Sequence, residues 1–278
     1  MAYQTLLAHF PLEEDVDAVL GVATTLAERH SAHLLGLHVV PRLDTVHYYE
    51  VPVSVLREFE SHRRTLAERL GERFAEGTRT RDFVADWRVV QGDDRPLERM
   101  LIEVGNTTDL IVVALTREPG RRGSRGELTG RLLGGSGRPV LLVPPERAPD
   151  TLGTRVFLAW DGQRAATRAL FGALPLLVRA DAVRLQRINT PARDRRHALG
   201  ATEQLAATLS RHGVEVELFH ADAREGDIGR ELLGFAVDWG ADLIVSGCQE
   251  QGAVREFLLG STTRHLLEHT TVPMLMSH

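Results

Sequence analysis

One cysteine, Cys248, is all the chain has, so no internal disulfide framework can hold it together, and a reducing cytoplasm is the expected compartment. Nor does any apolar run approach the ~20 residues that a membrane-spanning helix requires. The opening stretch MAYQTLLAHFPLEED lacks a basic region ahead of a long apolar core and turns acidic at once, which argues against a secretory signal. A net positive charge is also lacking: the net charge is -5, and basic stretches such as RRGSR at 121–125 are short and local. Such a chain has no field to gather a phosphate backbone, so neither nucleic acid nor membrane is expected as a partner. Several catalytic signatures are missing too. There is no GxxxxGK[ST] loop for phosphates, no nucleophile elbow with an ordered Ser-His-Asp set, and no HExxH or CxxC pattern.

What is present is a chain written twice. TTDLIVVAL from Thr107 matches GADLIVSGC from Gly240, setting Asp109 against Asp242. RPVLLVPP from Arg138 follows the first copy as VPMLMSH from Val272 follows the second, so Pro139 answers Pro273. TLLAHFP from Thr5 precedes one and VFLAWDG from Val156 the other. Three anchors in the same order indicate a duplication. Between the copies lies PPERAPDTLGT, 144–154, whose prolines and polar residues suit an exposed connector, and the domains are read as 1–148 and 149–278. At 278 residues, 43% hydrophobic and 26% charged, two globular domains of ordinary size fit the chain.

Within each copy, short apolar runs alternate with stretches of helical periodicity. In the second, strands are expected at 156–160, 183–188, 214–219, 243–246 and 273–276, with helices between them. The first repeats this order with a longer helix over 55–74. Alternating strands and helices call for parallel sheets covered on both faces, so each half is expected to be an open, doubly wound, five-stranded α/β sheet. The final strands of the halves, near 141–143 and 275–277, are expected to lie close about a pseudo-twofold axis, because edge strands need cover.

In such sheets ligands bind beyond the carboxyl ends of the strands, where the strand order reverses. In the second half that rim carries Asp161 and Gly162 after the first strand and Gly247 after the fourth. Further on, Gly260, Ser261 and Thr262 stand directly before a helix, where free backbone amides and the helix dipole favour an anion and glycine allows close approach. A plain helix cap accounts equally for Gly-Ser-Thr and for Asp161, and a tight turn for Gly247.

These residues resemble the nucleotide motif of the universal stress protein family, and the resemblance covers both halves. ATP-binding members carry a Gly, two residues, a Gly, nine residues and then Gly followed by Ser or Thr, with an Asp after the first strand. Here Asp161, Gly247 and Gly260-Ser261 stand at the family spacing, and VPMLMSH resembles the family's ending. The resemblance implies that Asp161, Gly162 and the backbone near Ile188 face adenosine, that Gly247 and the Glu250 position lie by the ribose, and that Gly260, Ser261 and Thr262 hold phosphates. ATP or another adenine nucleotide, with Mg2+, is the implied cofactor. The sequence departs from the motif at Glu250, where the family has glycine, with Gly252 two residues later as a shifted substitute.

The first half departs further. Phe10 and Pro11 are read against Asp161 and Gly162, Ala114 against Gly247, Arg117 against Glu250, and Glu127 follows Gly126 where Ser261 follows Gly260. An acid at that helix start satisfies the dipole itself and repels phosphate. Arg117, Arg121, Arg122 and Arg125 read as a solvated basic loop, with an anion site as the rival reading. His265 and His269, four apart on a helix, lack a third ligand and read as a solvated pair. Three functions stay open: a nucleotide-responsive stress or signalling protein, which is the leading one; a nucleotide-independent interaction scaffold; and an adenine-nucleotide α-hydrolase-like enzyme. The first implies no enzyme beyond slow ATP hydrolysis, together with a homodimer or protein partner.

Overall fold

The computed structural model describes residues 2–40, 52–92, 96–115, 124–145, 151–188, 195–221, 228–248 and 260–278. The first half runs β1 (Thr5–His9), α1 (Val16–His30), β2 (His33–Val40), α2 (Val53–Thr78), β3 (Ala85–Gln91), α3 (Leu97–Gly105), β4 (Leu110–Ala114), α4 (Ser124–Ser136) and β5 (Val140–Val143). The second runs β6 (Arg155–Ala159), α5 (Arg164–Gly172), α6 (Leu174–Leu177), β7 (Ala182–Ile188), α7 (Arg195–Arg211), β8 (Glu217–Ala221), α8 (Ile228–Asp238), β9 (Leu243–Gly247), α9 (Ser261–His269) and β10 (Met274–Ser277). The strand expected at 214–219 joins its ladder only at Glu217; Val214 instead buries its side chain in the core.

All the described strands form one sheet, in the order β3-β2-β1-β4-β5-β10-β9-β6-β7-β8. Each half contributes five parallel strands, and the two sets meet where β5 and β10 pair antiparallel, Leu141 opposite Leu275. The final strands thus cover each other's edge, as expected. The strands at the middle of the sheet are buried on both faces and correspondingly apolar: β4, LIVVA, is buried at every residue. One face carries α1, α2, α5, α6 and α7 over a core that runs through both halves, from Leu6 and Leu26 to Leu158 and Leu176. The other carries α3, α4, α8 and α9 around Leu7, Ile111, Phe157 and Met274. Polar contacts also cross between halves, since the Tyr3 hydroxyl donates to the Gly172 carbonyl at 2.7 Å and Arg29 donates to the Leu152 carbonyl.

The duplication is visible in bonds. The Asp109 carboxylate accepts the backbone N–H groups of Gln4 and Thr5, and the Asp242 carboxylate accepts those of Thr154 and Arg155. The Pro139 carbonyl accepts from Ile111 N–H, as the Pro273 carbonyl accepts from Ile244 N–H. These pairs correct the alignment at the start of each copy. Thr5 corresponds to Arg155, Leu6 to Val156 and Phe10 to Trp160, which puts Pro11, not Phe10, at the Asp161 position. The ladders agree: Leu6 pairs with Leu110 and Val156 with Leu243, while Phe10 N–H donates to the Leu37 carbonyl and Trp160 N–H to the Gln186 carbonyl. His38 on β2 therefore occupies the place of Arg187 on β7.

Candidate functional site

Beyond β6 the chain turns sharply into α5. The Asp161 carboxylate accepts the Gln163 N–H at 2.8 Å, and Gly162 between them takes a φ of 86°, a left-handed conformation that glycine adopts without strain. The cap position belongs to Gln163, so Asp161 fastens the turn ahead of α5 and is not itself the cap. Gly247, at the end of β9, faces the same first turn of α5. A Cβ there would lie 2.7 Å from the Ala165 carbonyl carbon and 2.8 Å from Ala166 Cα, and closer still to Ala166 N. Close packing of strand against helix thus demands glycine at 247 whether or not a ligand binds.

Gly260, buried and extended at φ -57°, ψ 154°, caps α9 through its backbone; its carbonyl accepts from Arg264 N–H at 2.9 Å, and no side chain among the described residues caps the helix. Ser261 is exposed at the first position of α9 and Thr262 is half-buried. The start of α8 presses on this helix, for a Cβ on Gly229 would meet His265 Cβ at 2.8 Å and the Thr262 carbonyl at 3.1 Å. The described residues therefore give two groups. Asp161, Gly162 and Gly247 surround the first turn of α5, while Gly260, Ser261 and Thr262 lie on the face of the sheet that carries α8 and α9. Ile188 ends β7, where its backbone pairs with Ala221. Glu250, Gly252, Arg117, Arg121 and Arg122 lie outside the described residues. On α9 the His265 and His269 rings stack, centroids 4.2 Å apart, and His269 Nδ1–H donates to the His265 carbonyl. Among the described residues no group of three His, Cys, Asp or Glu is placed to hold a metal ion.

Two residues on β7 escaped the sequence reading. Arg187 lays its guanidinium over the Trp160 ring, 5.3 Å from the centroid, and its nitrogens lie 3.4 Å from where a Cβ on Gly162 would sit. It borders a cleft of about 620 Å³ between α5 and α7 that is lined by Trp160, Asp161, Gly162, Phe171, Gln204 and Thr208. On the opposite side of the strand Gln186 is 1% exposed, and neither amide atom has a hydrogen-bond partner among the described residues. Two arginines and a glutamine in a seven-residue strand inside the sheet were the available signal.

The rim of the first half is filled by its own side chains. Phe10, Phe74 and Trp87 pack ring against ring at 5.3–5.8 Å, and Gly36 makes room for them. His38 Nδ1–H donates to the Phe10 carbonyl at 2.7 Å; burial lowers its pKa, and that bond works the other way. His9 is held neutral by burial, then by the neighbouring His38, with a pKa pushed down to about 3. Burial, with Glu14 nearby, pushes Asp15 up to about 6. Gly126 and Glu127 fall inside the first turn of α4, whereas Gly260 precedes α9.

Residues 154–278 match the universal stress protein family. Over the whole chain the fold is that of a universal stress protein from Archaeoglobus fulgidus DSM 4304, at 16% identity, covering 98% of this chain and 97% of the other with a TM-score of 0.70. A putative universal stress protein from Pseudomonas aeruginosa UCBPP-PA14 matches at 17% identity, 99% and 92% coverage and a TM-score of 0.60. A functionally unknown protein from Pseudomonas aeruginosa PAO1 matches at 17%, 99% and 92%, and 0.59. No curated protein matches the chain. The C-terminal half is a universal stress protein domain, and the full chain has the tandem universal stress protein fold.

Proposed function

We propose that this chain is a nucleotide-responsive signalling protein of the tandem universal stress type, with domains at 1–148 and 149–278, holding one adenine nucleotide per chain in its second half. The observation that carries the reading is the start of α9. Among the described residues its first amides have no side-chain cap, it opens on a buried glycine, and an exposed serine follows, which together suit a phosphate. Asp161, Gly162 and the Ile188 backbone would take the adenosine, with Gly247 and Glu250 by the ribose and Mg2+ accompanying the phosphates. The first half supports this asymmetry, with its rim filled by rings and Ala114 at the place of Gly247. We assign no catalytic residue beyond slow hydrolysis, because the described residues offer no arrangement of base and arginine clamp such as fast phosphoryl transfer uses. The reading extends to a cytoplasmic protein working through a homodimer or protein partner.

The packing of Gly247 against α5 favours the rival scaffold reading, since that glycine is accounted for without a ligand. Titration calorimetry with ATP and Mg2+ separates the two. One site per chain, lost in Gly260→Val and kept in Gly126→Val, supports the nucleotide reading; no binding by the intact chain refutes it. Two equal sites would reverse the assignment of the halves.

A further inference from the structure

An open sheet has two edges, and here they are β3 and β8. The β8 edge is five residues long, and its Glu217 is held by Arg184. The β3 edge is longer, seven residues from Ala85 to Gln91, and nothing pairs with its outer side among the described residues. The β2 ladder fixes which backbone groups point outward. Leu34 N–H donates to the Val84 carbonyl and Gly92 N–H to the Val40 carbonyl, so the even-numbered residues from 84 to 92 turn toward β2. Ala85, Trp87 and Val89 therefore turn their N–H and C=O groups to the outside. Two valines stand bare along the same strand, Val84 at 67% and Val89 at 36% exposure. Asp86 and Arg88, both exposed, share the face opposite Trp87. Neither proline nor lysine blunts the strand and its register is unbroken, which makes it a template for another strand.

We propose that β3 pairs antiparallel with β3 of a second copy of this chain, about a two-fold axis at Trp87, so that the sheet continues from one chain into the other. Residues symmetric about 87 then lie opposite each other. Trp87 exchanges both backbone bonds with its mate, and Ala85 does the same with Val89 of the second copy. Between these pairs Asp86 lies opposite Arg88 of the second copy, and Arg88 opposite Asp86, in the non-hydrogen-bonded pairs where side chains come closest. His33 occupies one oxygen of Asp86, at 2.8 Å, and leaves the other for the arginine. Val84 meets Val90 and Val89 meets Ala85, so both bare valines are covered. Moving the axis to Asp86 or to Arg88 would instead set like charges face to face. The strand is thus complementary to itself in hydrogen bonds, in charge and in apolar surface at one register. The corresponding axis on β8, at Phe219, would set Glu217 against Ala221 and pair no charges. This interface rests on the homodimer reading above and not on the nucleotide.

Sedimentation equilibrium of the full chain is the test, and we expect a monomer–dimer equilibrium. Val89→Pro removes an outward N–H without touching the β2 ladder, and should leave a monomer whose circular dichroism shows the fold intact. Asp86→Arg and Arg88→Asp each set like charges opposite one another on both sides of the axis, and should weaken the dimer about tenfold or more. Combining the two restores opposite charges and should recover the original affinity, which loss of a merely structural residue would not do. An unmodified chain that stays monomeric up to its solubility limit would overturn this interface and the homodimer reading together. A dimer undiminished in folded Val89→Pro or in either single charge variant, or no tighter in the double variant than in the singles, would overturn the interface alone. Titration of the unmodified chain with ATP reports on the nucleotide reading separately.

Discussion

Replacing Gly247 by alanine tests whether the rim of the second half is set by packing. The added Cβ would sit 2.7–2.8 Å from the Ala165 carbonyl carbon and Ala166 Cα. All the atoms it meets are backbone, so no side chain can swing aside, and ordinary contact requires the first turn of α5 to retreat by about 1 Å. Overpacking of this kind costs about 1–3 kcal/mol. At roughly 2–4 °C per kcal/mol for a chain of this size, the melting temperature should fall by about 4–8 °C for a mid-range cost. The mirror substitution, Ala114→Gly, touches the position where the first half already accommodates a methyl, and should cost only about 1 kcal/mol through the chain entropy of a strand glycine. Differential scanning calorimetry of both variants without ligand decides it. If Gly247→Ala melts within a degree of the unmodified chain, α5 is free to move there and the packing account of this glycine is wrong.

Asp242→Ala should lower stability by about 1–2 kcal/mol, because two backbone donors, one half-buried and one exposed, lose a charged acceptor, and Asp109→Ala should do the same in the first half; urea titration would show both. Acid should weaken the fold. His9 and His30 are held by burial at about 3 and about 4, so the unfolded chain takes up their protons first as the pH drops below 6.5 and the stability they contribute above 6.5 drains away down to pH 3–4. Asp15, raised to about 6, runs the other way, favouring the fold below pH 3.8 and losing that contribution as pH rises to 6, but its shift is smaller than the two histidines' together. His9→Leu should flatten the fall in melting temperature between pH 6.5 and 4.5, and an unchanged slope would count against burial as its cause. Gln186→Leu, which copies Leu37 at the matching position, should raise stability by about 1–3 kcal/mol by removing a buried amide without partners. Glu250→Gly should tighten ATP more than adenosine, because only ATP carries phosphates to be repelled; weaker adenosine binding in the variant would instead make Glu250 a ribose ligand.

Most of the architecture was legible because parallel strands and their crossover helices write different periods into the chain. Asp109 and Asp242 were visible as repeat anchors, and their bonds to the start of a neighbouring strand explain why an acid opens an apolar run in each copy. The slip of one residue between 5–11 and 156–162 has a physical origin. A strand buried on both faces is apolar at every position, so sliding it by one costs nothing that composition reveals; only the ladder and the aspartate caps fix the register. The site was harder to read. Asp161 and Gly162 lie in one stretch of sequence, but Arg187 meets Trp160 only because β7 lies beside β6, and the filling of the first half by Phe74 and Trp87 joins residues from α2 and β3 that no local pattern connects.

The antiparallel seam between β5 and β10 sets the compass of the whole molecule. Strands β1 to β5 point one way and β6 to β10 the other, so the carboxyl rims of the two halves open at opposite poles. A molecule seated on one rim cannot touch the other, and a protein gripping the ring-filled pole of the first half would stand a full strand length away from whatever occupies the second. A message between the poles would travel along the strands and cross a seam of three residue pairs, Val140, Leu141 and Leu142 with their partners on β10, or pass through the Tyr3–Gly172 and Arg29–Leu152 contacts beside it.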